Sequence, residues 1–407
     1  MKNCSLKLLY TITAYPPSVG GAQLHTHKIA STLAETHPIS VITHWTENRT
    51  DWLLGTTLKA PEPETVKSYE LDRVPVQQIT LDKAERRTLI PYVLGYYGIK
   101  KKAIDRISDK LLPKLEAHAP QDLDLIHNVR MGREGLSYAS FKLARKLNIP
   151  FIFVPLHHPR WVGWNYREYI NLYKEADGVI ALTNVEKQIL IDLGVKAEKI
   201  FITGIGPLIA ETSDPKSFRQ QYSLGDEPMI LFLGQKYEYK GFQSLLEAAQ
   251  EVWKKLPDVR FVFVGPRTDY SKKVFAEVKD TRVIELGKIS LEEKTNALAA
   301  CDILCVPSMQ ESFGGVYTEG WIMKKPVIGG DIPAIRDVID DEVNGFLVQQ
   351  DAGQIADKII QSIENSSLRE KMGLAGYQKV VEQYTWEKLA GKMEAAYRQV
   401  LQTGLTH

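Results

Sequence analysis

ILCVPSMQESFGGVYTEGWIMKKPVIGG, Ile303 to Gly330, is the stretch on which the reading of the fold turns. Ile303 to Val306 is a short apolar run of strand length and Pro326 to Ile328 is another, with a helical pattern ending near Lys325 between them. Strand, glycine turn, helix and strand make one unit of a parallel sheet covered on both faces. The turn is Ser312-Phe313-Gly314-Gly315. Its glycines let the backbone come close to a ligand. The helix that follows offers unpaired amides from Gly314 to Val316 and the positive end of a dipole, which suit a diphosphate. Glu311 stands before the turn and Glu319 after it, with seven residues between them, placed to accept hydrogen bonds from hydroxyls on either side of that diphosphate. The alternative is a plain tight turn with two solvated carboxylates that complement the helix dipole.

Working outward, strand runs and helical patterns alternate from end to end. In the first half the strands are expected at Leu6 to Thr13, Ile39 to Thr43, Leu123 to His127, Phe151 to Val154, Gly178 to Leu182 and Lys199 to Thr203. The polar, turn-rich stretch from Thr203 to Pro215 follows, and the cycle restarts at Met229 to Leu233, Arg260 to Val264 and Arg282 to Leu286. With 407 residues, two domains are expected. The fold class is therefore α/β, two Rossmann-like doubly wound parallel-sheet domains facing across a cleft, with ligands at the carboxyl ends of the strands. The boundaries are 1–205, 206–385 and a closing helix, 386–407, on which Trp386, Leu389, Met393 and Tyr397 share an apolar face.

Composition excludes several classes. The 51 Lys+Arg balance 50 Asp+Glu, so nucleic acid is not expected as the main partner. Three cysteines, Cys4, Cys301 and Cys305, give neither a disulfide framework nor metal-ligand spacing, which suits a reducing, cytoplasmic setting. No apolar run reaches the roughly 20 residues that span a bilayer.

A second motif is FLGQKYEYKGFQSLLEAA, Phe232 to Ala249, in which a strand ends at Gly234 and Lys240-Gly241 opens a helix six residues later. Together with Glu311-x7-Glu319 and the Phe313-Gly314-Gly315 turn, it resembles the fourth family of glycosyltransferases, which have the GT-B fold. The resemblance runs over nearly the whole chain. It implies a retaining, metal-independent transferase that uses a nucleotide-sugar donor, with no cofactor. It assigns Lys240, Glu311, Phe313, Gly314, Gly315, Val316 and Glu319 to the donor. Where the family carries arginine after the strand glycine, this chain has Gln235, which brings no charge to a leaving diphosphate. Lys236 is a candidate replacement, although neighbours on an extended chain point in opposite directions.

In the first half, Gly20 and Gly21 sit in a strand-to-helix turn that is not the G-x-G-x-x-G dinucleotide fingerprint; in the resembling family this loop lies near the donor diphosphate. His157 and His158 follow the strand Phe151 to Val154, and the family has a histidine here at the donor sugar, with His158 the favoured one of the pair. A structural pair under Trp161 and Trp164 is the alternative, and no nearby Asp, Glu or Cys completes a metal site. Arg130, Arg133 and Glu134 are candidates for the acceptor, a carbohydrate or lipid-linked group, or else a solvated loop.

From Glu85 to Lys114 the chain carries eight Lys+Arg against three Asp+Glu, and Ile99, Ala103, Ile107, Leu111 and Leu115 repeat every four positions after Tyr92, Tyr96 and Tyr97. Such a segment, 92–115, can lie on the anionic inner face of a membrane or pack its apolar face on its own domain. A nucleotide-sugar epimerase of the same fold and a catalytically silent nucleotide-sugar-binding subunit remain the alternative functions.

Overall fold

A computed structural model describes residues 5–17, 20–45, 52–60, 68–130, 132–157 and 166–403. Contacts divide the chain into unit 1, Met1–Thr203 with Leu389–His407, and unit 2, Gly204–Lys388.

Unit 1 holds eight strands: β1 (Leu8–Ala14), β2 (Ile39–Trp45), β3 (Ser68–Leu71), β4 (Val74–Gln78), β5 (Leu125–Val129), β6 (Phe151–Val154), β7 (Gly178–Ala181) and β8 (Ile200–Ile202). Their order in the sheet is β3-β4-β2-β1-β5-β6-β7-β8. Every residue of β1 is buried, as a strand covered on both faces requires. Leu8 lies opposite Ile39 on one side and Leu125 on the other. The sheet is parallel as expected except on its edge, where β3 and β4 add an antiparallel hairpin. Asp72 and Arg73 at its tip both have positive φ, 46° and 64°, the backbone that a two-residue hairpin turn demands.

The basic segment packs its apolar stripe on its own domain, one of the two readings open to it. Its helix, Tyr96–His118, bends at Ile99. Beyond the bend Ala103, Ile107, Leu111 and Leu115 are buried in the core of unit 1. The helix Leu136–Leu147 comes so close that a Cβ on Gly135 would lie 2.4 Å from Ile107. The four-residue apolar stripe therefore faces protein, and no membrane can use it.

Unit 2 is a wholly parallel sheet of β9 (Met229–Leu233), β10 (Arg260–Val264), β11 (Val283–Leu286), β12 (Ile303–Val306), β13 (Val327–Gly330) and β14 (Gly345–Val348), ordered β11-β10-β9-β12-β13-β14. Between β9 and β12 the direction of winding reverses, which makes the switch point beyond which such sheets bind ligands. In unit 1 the same reversal lies between β1 and β5. The helix after β9, Phe242–Lys255, buries Phe242, Leu245, Ala249 and Val252, each fully buried large side chain contributing roughly 1.5–3 kcal/mol.

The last helix, Trp386–Thr403, buries Leu389, Met393, Tyr397 and Val400 in unit 1. Tyr397 Oη lies 2.6 Å from Tyr10 Oη and 2.9 Å from His127 Nδ1. Trp386 belongs to unit 2, where its indole donates to the Pro207 carbonyl at 3.0 Å. Among the described residues no helix is long and apolar enough to cross a membrane.

Candidate functional site

At the carboxyl end of β9 the chain leaves the sheet through Gly234, whose missing side chain faces open space. It makes a short turn over Glu238–Lys240 and enters the next helix through Gly241. Gly241 has φ 77°, and a Cβ there would lie 2.5 Å from the Pro307 carbonyl oxygen. Glycine therefore lets the two switch-point loops close on each other. Gln350, just beyond β14, holds them together by donating to the carbonyls of Tyr239 and Pro307 at 2.9 and 2.8 Å. The Met309 amide adds a bond to the Tyr239 carbonyl at 2.8 Å.

This clamp brings Lys240 of the first loop onto Glu311 of the second as an ion pair. Their side chains keep 20% and 12% of their surface exposed, so the pair is shielded yet reachable. Beside it Gly314, at φ 81°, turns the chain into the helix Gly315–Ile322; a Cβ on it would strike the ring of Tyr317 at 2.4 Å. Phe313 is buried against Tyr384. The helix has no side-chain cap and no acid in its first turn. The amides of Gly315 and Val316 have no acceptor among the described residues. Open donors, a dipole end and an adjacent ammonium together make an anion site.

Glu319, one turn on, is buried and paired with Lys294 at 2.8 Å. Burial pushes its carboxyl up, while the Lys294 ammonium and the Leu208 amide hold it down by less. Lys294, on the helix Leu291–Ala300, escaped the sequence reading, as did Gln350. Neither stands in a local pattern, because each acts across the fold.

The other expected donor residue goes elsewhere. Lys236 is completely buried, reaching across the carboxyl ends of β10 and β11, with Nζ 2.6 Å from the Gly265 carbonyl, 2.5 Å from that of Leu286 and 2.7 Å from the Glu285 carboxylate. It cannot stand in for the missing arginine, and Gln235 is half-buried without a side-chain hydrogen bond among the described residues. Burial, opposed by Glu285, lowers the Lys236 pKa. Cys301 and Cys305 are buried and unpaired, and burial pushes the Cys301 thiol up to about 12.

In unit 1 the loop after β1 is tied back on itself. Tyr15 Oη is 2.8 Å from His27 Nδ1, and His27 Nε2 is 2.9 Å from Asp72 at the hairpin tip. Tyr69 on the same hairpin donates to the Pro16 carbonyl at 2.5 Å. Beyond this brace Gly20 is extended and Gly21 starts the helix Gly21–Leu33, and a Cβ on Gly21 would meet nothing within 4 Å.

The acceptor candidates separate. Arg130 is completely buried. It donates to Tyr173 Oη at 2.8 Å and to the carbonyls of Pro155 and Gly132 at 3.3 Å. Glu134 is buried too, and it accepts from the Ser137 amide and hydroxyl at the start of a helix. Burial raises its pKa. Both side chains hold unit 1 together and neither is open to an acceptor. Arg133 is half-buried and donates to Tyr97 Oη at 2.8 Å.

His157 is buried beside Tyr173, and its amide donates to Glu186 at 2.9 Å. Glu186, another residue the sequence did not reveal, also accepts from the Leu182 amide at 2.7 Å, and burial pushes its carboxyl up to about 7. His158, Trp161 and Trp164 lie outside the described residues. The Asp-x-Asp sequence Asp122-Leu123-Asp124 sits at the amino end of β5, where Asp124 accepts from the Lys7 amide at 2.6 Å. That is the far end of the strand from the switch point.

Residues 213–379 match the family profile of glycosyl transferases group 1. An uncharacterised glycosyltransferase of Methanocaldococcus jannaschii is 26% identical over 319 residues, 76% of this chain and 81% of that one. The phosphatidyl-myo-inositol mannosyltransferase of Mycobacterium tuberculosis is 32% identical over 182 residues, a match that spans 43% of this chain and about half, 48%, of that protein. The crystal structure of Anabaena HepE in complex with UDP and glucose shares the fold with a TM-score of 0.72 at 19% identity, covering 97% of this chain and 100% of that one.

Proposed function

Since the chain belongs to the glycosyl transferases of group 1, we propose that it is a retaining, metal-independent hexosyltransferase that moves a sugar from a nucleoside diphosphate to an acceptor hydroxyl during glycan, polysaccharide or glycolipid synthesis. One observation carries this reading. At the β9/β12 switch point a reachable Lys240–Glu311 pair stands beside the open amides of Gly315 and Val316. The donor diphosphate lies on those amides with Lys240 at its leaving oxygen. As the bond from the anomeric carbon to the diphosphate breaks, its electron pair goes to the phosphate, and fixed donors there stabilise the growing negative charge. The acceptor oxygen bonds to the anomeric carbon, and its proton passes to the departing phosphate oxygen on the same face. Retention rests on the family resemblance. Glu311 keeps the Lys240 ammonium aimed and accepts from sugar hydroxyls, while Glu319, held by Lys294, accepts from the ribose.

UDP and GDP are the nucleotides to try first, UDP having support from the Anabaena structure. A lipid-linked acceptor has support from the mycobacterial relative. His158 and the Gly20-Gly21 loop supply the unit 1 part of the same proposal.

Gln235 and the inward-turned Lys236 favour one second reading, a subunit that binds nucleotide sugar without turning it over. Incubation with UDP- and GDP-sugars, with and without a pool of acceptors, separates these two and the epimerase alternative. A transferase consumes donor only with acceptor present, whereas an epimerase releases nucleotide without one. A silent subunit gives no product, although ligand at 100 times its Kd still stabilises it by about 2.7 kcal/mol.

A further inference from the structure

Between Arg86 and Ile104 the chain carries five cations and no carboxylate, and here the fold makes an elbow. The helix Lys83–Leu94 ends, Gly95 follows, and the next helix bends at Ile99. Twelve large apolar side chains stand exposed among the described residues, and four of them fall in this one decade of sequence: Ile90 at 42%, Leu94 at 72%, Tyr97 at 50% and Ile99 at 40%. Leu94 is the most exposed of the twelve.

Cations flank this apolar tip on both sides in the sequence, Arg86 and Arg87 before it and Lys100 to Lys102 after it. Arg87, Lys101 and Lys102 are exposed and enter no ion pair among the described residues. Next to Tyr97 is a surface pocket of about 300 Å³ whose charged walls are Lys100, Lys101, Lys102 and Arg167 against a single carboxylate, Glu168. Arg133 braces the tip through its bond to Tyr97 Oη. The stripe that continues down the helix is buried, so the apolar surface on offer is the elbow alone.

We propose that this elbow is a docking surface for an anionic bilayer. Ile90, Leu94 and Ile99 enter the interface, and Arg87, Lys101 and Lys102 meet lipid phosphates, the pairing of apolar insertion with basic charge that holds peripheral proteins on such surfaces. Charge decides against a second copy of the chain as occupant. A two-fold contact sets the same patch against itself, and here that brings cation onto cation. The assignment is independent of the transferase reading, since it concerns where the chain sits and not what it catalyses.

The test is co-sedimentation of the full chain with vesicles of phosphatidylcholine alone or mixed with phosphatidylglycerol. Wild type should pellet with the mixed vesicles and not with the neutral ones. The Lys101→Gln/Lys102→Gln variant should bind about 30-fold more weakly, each charge being worth about fivefold, and the difference should shrink in high salt. Leu94→Gln should weaken binding about tenfold, with little dependence on salt. All three positions are exposed, so thermal melting should match wild type. Equal binding to both kinds of vesicle, or variants that partition like wild type, would overturn the proposal. So would a Leu94→Gln variant whose only change is loss of self-association in analytical ultracentrifugation.

Discussion

The loops beyond β9 and β12 and those beyond β1 and β5 occupy the same topological place in their two sheets, yet they treat charge in opposite ways. In unit 2 the Lys240–Glu311 pair stands at the switch point with both side chains still partly exposed. In unit 1 Arg130 and Glu134, which a sequence reading groups with it as site residues, have gone inward and satisfied themselves on tyrosines, carbonyls and a helix start. A charge built for binding keeps an open side. One built for structure has every donor or acceptor taken up.

The sharpest way to break the contrast is to remove one member from each side. Lys240→Ala should lower turnover by a hundredfold or more, about 3 kcal/mol of lost transition-state stabilisation, with thermal melting almost unmoved. Unchanged turnover in the folded variant would take Lys240 out of the mechanism. Arg130→Met should do the reverse. It leaves the Tyr173 hydroxyl and two carbonyls buried without their donor, at a cost of about 3 kcal/mol. For a unit of this size that corresponds to roughly 10 °C in Tm, with turnover per folded molecule close to wild type. A large loss of activity at low temperature, without destabilisation, would make Arg130 a binding residue after all.

A smaller effect separates the two regions by pH. Burial holds the Glu186 carboxyl up at about 7, against an ordinary 4.5. A raised carboxyl favours the folded state most below pH 4.5, and that stability is lost as pH rises through 7, by an amount on the order of 2–3 kcal/mol. Glu186→Gln cannot titrate, so the Tm of wild type should fall relative to that of the variant between pH 4.5 and 7. A constant difference between the two would contradict this. The smallest expected effect is that of a chelator, with activity kept, since the Asp122-Leu123-Asp124 carboxylates lie at the amino end of β5. Loss on chelation with rescue by magnesium or manganese would reverse that reading.

What was legible in advance follows the range of the interaction. The Gly234 to Lys240-Gly241 spacing and the turn at Gly314 are local, so they can be read directly from the chain. The β3–β4 hairpin could not be, because its tip is Asp72-Arg73 and lacks the glycine that usually marks such a turn. The destination of Lys236 depends on Glu285, 49 positions on. The Lys294 partner of Glu319 depends on a helix that belongs to another crossover. Arg130 looked like a site residue because it follows a strand at the correct end. Its burial is decided by Tyr169 and Tyr173, whose rings lie 5.2 and 5.5 Å from its guanidinium. Pairings across the fold carry no signature at either residue alone.

The closing helix gives the two units different histories on the ribosome. Every contact internal to unit 2 joins residues between Gly204 and Lys388, so that unit has all its partners once its own stretch of chain has emerged. Unit 1 begins first and is completed last. Tyr10 and His127 wait for Tyr397, and β7 waits for Val400, which packs against Gly178. Domains generally fold in the order in which they are made; here the order is inverted for the final step, and a nascent chain stopped before Leu389 leaves its first-made half unfinished.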